Sequence, residues 1–227
     1  SIMLGGGYGS YDKFMLNGSV SDANIFGSGM SLGFSADVSA RTNRFELSLK
    51  NPAINDSNYN GEVEIHNSET EINRDVYDST IDTKGFSVGL GRQLFRDFYA
   101  GAKYRLDFVS ENYTYDNIST ISNPYKSQDY ISSSITPYIN FDNTDDFYIP
   151  REGVKAGTSL EYAGVGGDSK YLKSSSYLKY FYSLEDLTEL DWILRLKTQM
   201  KILVDNGQIN QGDSLYLGGA KTLRGYK

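Results

Sequence analysis

Glu62, Glu64 and His66 fall at i, i+2 and i+4, which on an extended chain puts two carboxylates and an imidazole on one face. That donor set could hold a divalent metal. A polar strand face gives the same pattern with no metal, and it is the plainer origin. His66 also stands two residues before Ser68, a pair that could hydrolyse an ester, but no further pattern supports it. It is the single histidine, and with no cysteine in the chain most nucleophilic schemes lack a base. Asp142-Asn143-Thr144-Asp145-Asp146 could bind calcium, although Asx-rich turn chemistry accounts for the same residues. Near the end of the chain, Gly218-Gly219-Ala220-Lys221-Thr222-Leu223-Arg224-Gly225-Tyr226 describes a tight turn that aims Arg224 at something. No catalytic residue, metal or cofactor is expected.

The elements that must position these residues are strands. The chain has 227 residues with 19 Tyr, 11 Phe and 23 Gly against 4 Pro and one Trp, and no Pro/Ser-rich linker divides it. One large β domain is therefore expected. The first strand, Ile2-Met3-Leu4-Gly5-Gly6-Gly7-Tyr8-Gly9, carries four glycines that offer nothing to a neighbouring strand. A second covers 13–22. In the third, Met30, Leu32, Phe34, Ala36 and Val38 alternate with Ser31, Gly33, Ser35, Asp37 and Ser39, a period of two that no helix produces. The fourth has Phe45, Leu47 and Leu49 against Glu46, Ser48 and Lys50 and ends at Pro52.

A fifth strand runs near 59–72, and a sixth carries Phe86, Val88 and Leu90 before a turn at 92–97. The seventh alternates Phe98 to Phe108 with Lys103, Arg105 and Asp107, so charges share one face and imply a wet interior. Residues 111–128 read as a polar surface loop. The eighth strand contains Pro137, which must cost a ladder hydrogen bond or mark a bulge. The ninth holds Val154 to Tyr162, the tenth covers 170–183, and the eleventh begins at Leu190 and Trp192. Strands one to eleven occupy 1–204, and 205–227 begins a loop.

Net charge is −7, which argues against nucleic acid as a partner. No run approaches the ~20 apolar residues of a spanning helix. A transmembrane β-barrel hides from hydropathy, because its strands alternate apolar-out and polar-in. The competing fold is a soluble sandwich with strands of about 5–6 residues. These strands are longer, near the ~9–11 residues that cross a bilayer, and tyrosines crowd their ends. The expected fold is all-β, an antiparallel transmembrane barrel. Ser1-Ile2-Met3-Leu4 has no charged leader or cleavage site, so no signal peptide is expected in this stretch.

Several stretches, in order along the chain, resemble the outer-membrane β-barrel assembly factors of the outer-membrane assembly and translocation barrel superfamily. They are Gly5 to Gly9, Asn24-Ile25-Phe26-Gly27-Ser28-Gly29, the strand end Glu46 to Pro52, the turn Asp142 to Gly153, and Tyr216 to Tyr226 with its Arg-Gly-aromatic motif. Leu223 and Tyr226 stand where the family more often has Val or Ile and Phe. The resemblance implies about eleven of about sixteen barrel strands here, with POTRA domains before them and the last strands after. It places Gly218, Gly219, Thr222, Leu223, Arg224, Gly225 and Tyr226 in a sixth extracellular loop that folds back into the lumen.

The function so implied is folding and insertion of β-barrel proteins in the bacterial outer membrane, without covalent catalysis. The partners implied are outer-membrane lipid, nascent outer-membrane β-barrel proteins, assembly-machine lipoproteins and periplasmic chaperones. The glycine-rich stretch Ile2 to Gly9 would grip its neighbour poorly and leave a weak seam at which a client strand pairs. The alternatives are a sister assembly or translocation factor, of TamA or two-partner secretion type, and a passive porin.

Overall fold

The computed structural model describes residues 1–9, 13–73, 77–115, 126–146, 149–185 and 190–215. Eleven strands follow one another: β1 (Ile2–Gly9), β2 (Lys13–Asp22), β3 (Ser31–Ser39), β4 (Thr42–Asn51), β5 (Tyr59–Asn73), β6 (Tyr77–Phe95), β7 (Phe98–Tyr115), β8 (Gln128–Asp142), β9 (Gly153–Ala163), β10 (Lys170–Ser183) and β11 (Ile193–Gln208). They form one sheet in sequence order, each antiparallel to the next, with β1 and β11 at its edges. Connections after odd-numbered strands therefore share one rim and those after even-numbered strands the other.

The alternation read in the sequence becomes two faces of opposite character. One carries Phe34, Leu47, Ile65, Phe86, Leu196 and Ile202, all more than a third exposed. The other holds Glu64, His66, Lys103, Arg105, Asp107 and Glu161, whose ion pairs lie on the wall itself. Buried positions are mainly polar, among them Ser87, Asp107, Glu111, Ser132, Ser134 and Asn210. A water-soluble sandwich would bury the apolar set, so the inversion is that of a wall between lipid and a polar lumen.

Three expectations are corrected at strand ends. β6 begins at Tyr77 and runs through Arg92 to Phe95, so the turn is only Arg96-Asp97. β7 continues through Glu111 to Tyr115 and β8 starts at Gln128; the ends of the expected 111–128 loop are strand, and 116–125 lie outside the described residues. Leu190 and Trp192 precede β11, which starts at Ile193 and continues to Gln208. Polar residues on both faces hide the upper parts of β6 and β7 from a reading based on alternation. Of the two outcomes expected for Pro137, the lost ladder bond is the one found, with no bulge. The β8–β9 register holds from Ile135↔Tyr162 to Tyr138↔Ser159, but the pairs between them are missing, so the proline costs ladder bonds instead.

The turns before β3 and β5 are built alike. Phe26 and Asn55 each sit in a left-handed conformation with φ 51° inside a short 3-10 turn. In each, a serine hydroxyl closes the turn on an isoleucine carbonyl, Ser28 on Ile25 at 2.7 Å and Ser57 on Ile54 at 2.6 Å. Asparagine tolerates that backbone readily and phenylalanine does not.

Candidate functional site: the polar wall and the turn docked on it

On the polar face, Glu62, Glu64 and His66 share one strand row as the spacing predicts; Glu64 Oε1 lies 3.5 Å from His66 Nδ1, and both glutamates are matched to lysines. Lys50 pairs with Glu62 at 3.2 Å, and Lys103 with Glu64 at 3.2 Å. His66 Nε2 lies 2.8 Å from Asp107 Oδ1 and 3.1 Å from Arg105 Nη2, while Arg105 Nε donates to Asp107 Oδ2 at 2.6 Å. His66 and Asp107 lie on β5 and β7, and Gly85 of β6 stands between them in the same row. A side chain at 85 would fill the space through which they meet. No metal-type cluster of His, Asp and Glu occurs among the described residues. Ser68 lies two positions further along β5, opposite Thr83 and Arg44.

The acidic turn after β8 is organised by its own backbone. Asp142 accepts from Thr144 N at 3.1 Å, Asp145 from Arg151 N at 2.9 Å and Glu152 N at 3.1 Å, and Asp146 from Ile149 N at 2.7 Å. The Glu152 and Arg151 amides hold the Asp145 carboxyl below the usual carboxylate range. Arg151 reaches across to Glu185 at 2.9 Å and to Asp191, tying this turn to the next one on the rim.

A second assembly was not foreseen. After β11 the chain turns back through the short helical turn Gln211–Asp213 and lands on the polar face. Glu111, almost fully buried, accepts from Gly212 N at 2.6 Å and Tyr130 OH at 3.0 Å on one oxygen. Tyr113 OH at 3.2 Å and Gln128 Nε2 at 3.4 Å reach the other. Ser169 donates to Asp213 Oδ2 at 2.7 Å and accepts from Asn210 Nδ2 at 3.1 Å, while Gln128 donates to Asn210 Oδ1 at 3.1 Å. A Cβ at Gly212 would lie 2.7 Å from Tyr130 OH and 3.0 Å from Glu111 Oε1, so any side chain there pushes on both. A polar recess of about 250 Å³ opens beside the turn, lined by Arg105, Asp107, Glu161, Lys173, Gly212 and Asp213. Burial pushes the Asp213 carboxyl above its usual range, against the Ser169 hydrogen bond and the charge of Lys173.

Ile2 to Gly9 form β1, paired along its whole length with β2 and lying at the sheet edge. Ile2, Met3, Leu4 and Tyr8 are all strongly exposed. A Cβ added at Gly5 would meet open space, and at Gly6 and Gly7 only ordinary contacts at 3.6 and 3.5 Å. Gly218, Gly219, Thr222, Leu223, Arg224, Gly225 and Tyr226 lie outside the described residues.

The chain is 28% identical over 234 residues to the outer membrane protein assembly factor BamA of Nitratidesulfovibrio vulgaris, covering 99% of this chain. It spans 28% of the length of that curated relative. Its fold is similar to the crystal structure of BamA from Haemophilus ducreyi lacking POTRA domains 1–3, with a TM-score of 0.75 at 21% identity, covering 99% of this chain and 45% of that one. CdiB from Acinetobacter baumannii is similar at a TM-score of 0.60 and 13% identity, over 94% of this chain and 39% of that one. The Omp85 superfamily domain matches residues 24–227, from the first rim turn through the docked segment and beyond. This chain thus belongs to the Omp85 superfamily and is part of a β-barrel of the bacterial outer membrane.

Proposed function

We propose that the protein folds and inserts other β-barrel proteins into the outer membrane, by offering the edge of β1 as a template for an incoming strand. The observation that carries this reading is β1 itself: an edge strand whose centre, Gly5-Gly6-Gly7, supplies backbone groups and almost no side-chain packing. Unpaired N–H and C=O groups are costly in lipid, so such an edge favours any strand that completes it. A client strand then pairs by β-augmentation, and its hydrogen bonds come from the main chain of Ile2 to Gly9.

The residues after β11, from 209 on, begin the sixth outer loop in this reading, with Leu223, Arg224, Gly225 and Tyr226 bracing the lumen. Nascent barrel proteins, assembly-machine lipoproteins and periplasmic chaperones are the partners, and neither nucleotide nor cofactor is required.

The test is assembly of a client barrel by the full-length protein in lipid vesicles. Valine at positions 5, 6 and 7 fits the space available and adds cross-strand packing. Assembly by that variant slows several-fold if the edge must stay weak, and an unchanged rate overturns the proposal. The likeness to CdiB favours a second reading, a sister translocation factor of the same superfamily. Export of a single partner polypeptide, with no effect on barrel clients, would select it.

A further inference from the structure

The turn that docks on the polar wall bears on how the sixth loop is held. Of the described residues after β11, Asn210, Gly212 and Asp213 all bond to wall residues that are distant in sequence, from β7, β8 and the hairpin before β10. Glu111 supplies the strongest of these contacts. It is 1% exposed, lies against no cation in its hydrogen-bond set, and draws donors from the turn as well as from Tyr113, Gln128 and Tyr130. A buried carboxylate is held in place only when its oxygens are satisfied, and the Gly212 amide fills part of that need. Removing the turn would leave Glu111 short of a donor. The carboxylate therefore favours the docked arrangement over any in which the segment lifts into the lumen.

We propose that Glu111, with Ser169, forms a docking site for Asn210–Asp213 that fixes where the chain leaves β11, and that Glu111 is thereby a positioning residue for the loop motif at Leu223–Tyr226. The role rests on the reading of that loop as a lumenal brace, but the docking contact does not. The site acts from the β7–β10 side of the wall, upstream of any contact the motif makes for itself. The bonds share one turn, so they form or break together. Gly212 is the point of closest approach, because any side chain there meets Tyr130 and Glu111.

The experiment is hydrogen exchange of the 210–214 segment in the full-length protein in lipid nanodiscs, run beside client assembly by the same samples. Glu111→Ala is expected to speed exchange of that segment about tenfold or more and to slow assembly several-fold. Glu111→Gln keeps an oxygen that accepts from Gly212 N and restores most of the protection, which loss of bulk alone would not predict. Gly212→Ala lifts the turn from the loop side and serves if Glu111→Ala fails to give a folded, heat-modifiable barrel. Unchanged exchange in Glu111→Ala or Gly212→Ala overturns the docking site. Lost protection with undiminished assembly overturns the positioning role. Exchange needs no client, so a failure of the seam variants would leave the docking result standing.

Discussion

His66 on β5 and Asp107 on β7 meet at 2.8 Å across an intervening strand, over the bare backbone of Gly85. A Cβ at 85 would stand 3.0 Å from His66 Nε2 and closer still to the Asp107 carboxylate and the Leu106 carbonyl, which is backbone and cannot swing away. Gly85→Ala is expected to cost about 1–3 kcal/mol, the range for overpacking a filled site. Gly5→Ala, which meets open space, is expected to be neutral or slightly stabilising. Urea unfolding of the two full-length variants, followed by gel mobility, checks the contrast, and equal midpoints would refute it.

Lys179 on β10 stands directly opposite Lys197 on β11, and Lys155 of β9 flanks the same row. Lys155 pairs with Asp142 at 3.0 Å, whereas neither Lys179 nor Lys197 has a carboxylate partner among the described residues. Like charges set opposite each other in a sheet destabilise it by about 0.2–1 kcal/mol. Lys197→Thr should therefore raise the unfolding midpoint at low ionic strength, with the gain fading as salt screens the pair. A loss of stability at every salt concentration would mean that Lys197 is compensated elsewhere in the full protein.

Asp213 gives the docked turn a dependence on pH. Around it stand Glu111 and Tyr130 from the β7–β8 wall, Glu161 from β9, and Tyr171 and Lys173 from β10, besides the Ser169 hydroxyl. Its docked-state pKa is raised, so the protonated form is the one the site prefers. The increment is fully present below the ordinary carboxylate range and is lost as pH rises through the raised value. Exchange of residues 210–214, corrected for its intrinsic rate, should therefore quicken as pH climbs from the ordinary carboxylate range through the raised value. Asp213→Asn keeps an acceptor for Ser169, flattens that profile and protects the turn better at the upper end. A slope unaltered in Asp213→Asn would assign the dependence to another group.

Pro137 breaks the β8–β9 ladder without disturbing its register. Pro137→Val should supply an amide at 137 that hydrogen-bonds in the ladder and is protected from exchange. Its net gain is held to within about 1 kcal/mol by the freedom that valine returns to the unfolded chain. Exchange as fast as elsewhere on an open strand edge would show that the ladder stays broken for another reason.

The limits of β1, β2 and β10 were legible to the residue, because glycines and short turns punctuate an alternation that lipid on one side and water on the other enforce. The upper ends of β6 and β7 were not. Asp78, Thr80 and Asp82 on one and Ser110, Asn112 and Thr114 on the other make both faces polar there, and the period of two loses its contrast. Leu190 and Trp192 carried the apolar rhythm past the true start of β11 into the rim. At the site, the row Glu62, Glu64 and His66 could be seen as a row, but not the cations that neutralise it. Glu111 and Gly212 lie 101 residues apart, and no local pattern joins them. What betrayed the contact was only a glycine and an aspartate following a strand, a pair found in many ordinary turns.

Each strand of the sheet lies beside its neighbour in sequence. The loop-closure entropy for adding any one strand is therefore that of a single hairpin, and it does not grow as the wall widens. The chain can thread into its own bilayer stepwise, each new hairpin zipping onto the one before. Only the meeting of the first and last staves has to bridge the full length of the polypeptide, so it carries the largest loop-closure entropy in making the cylinder.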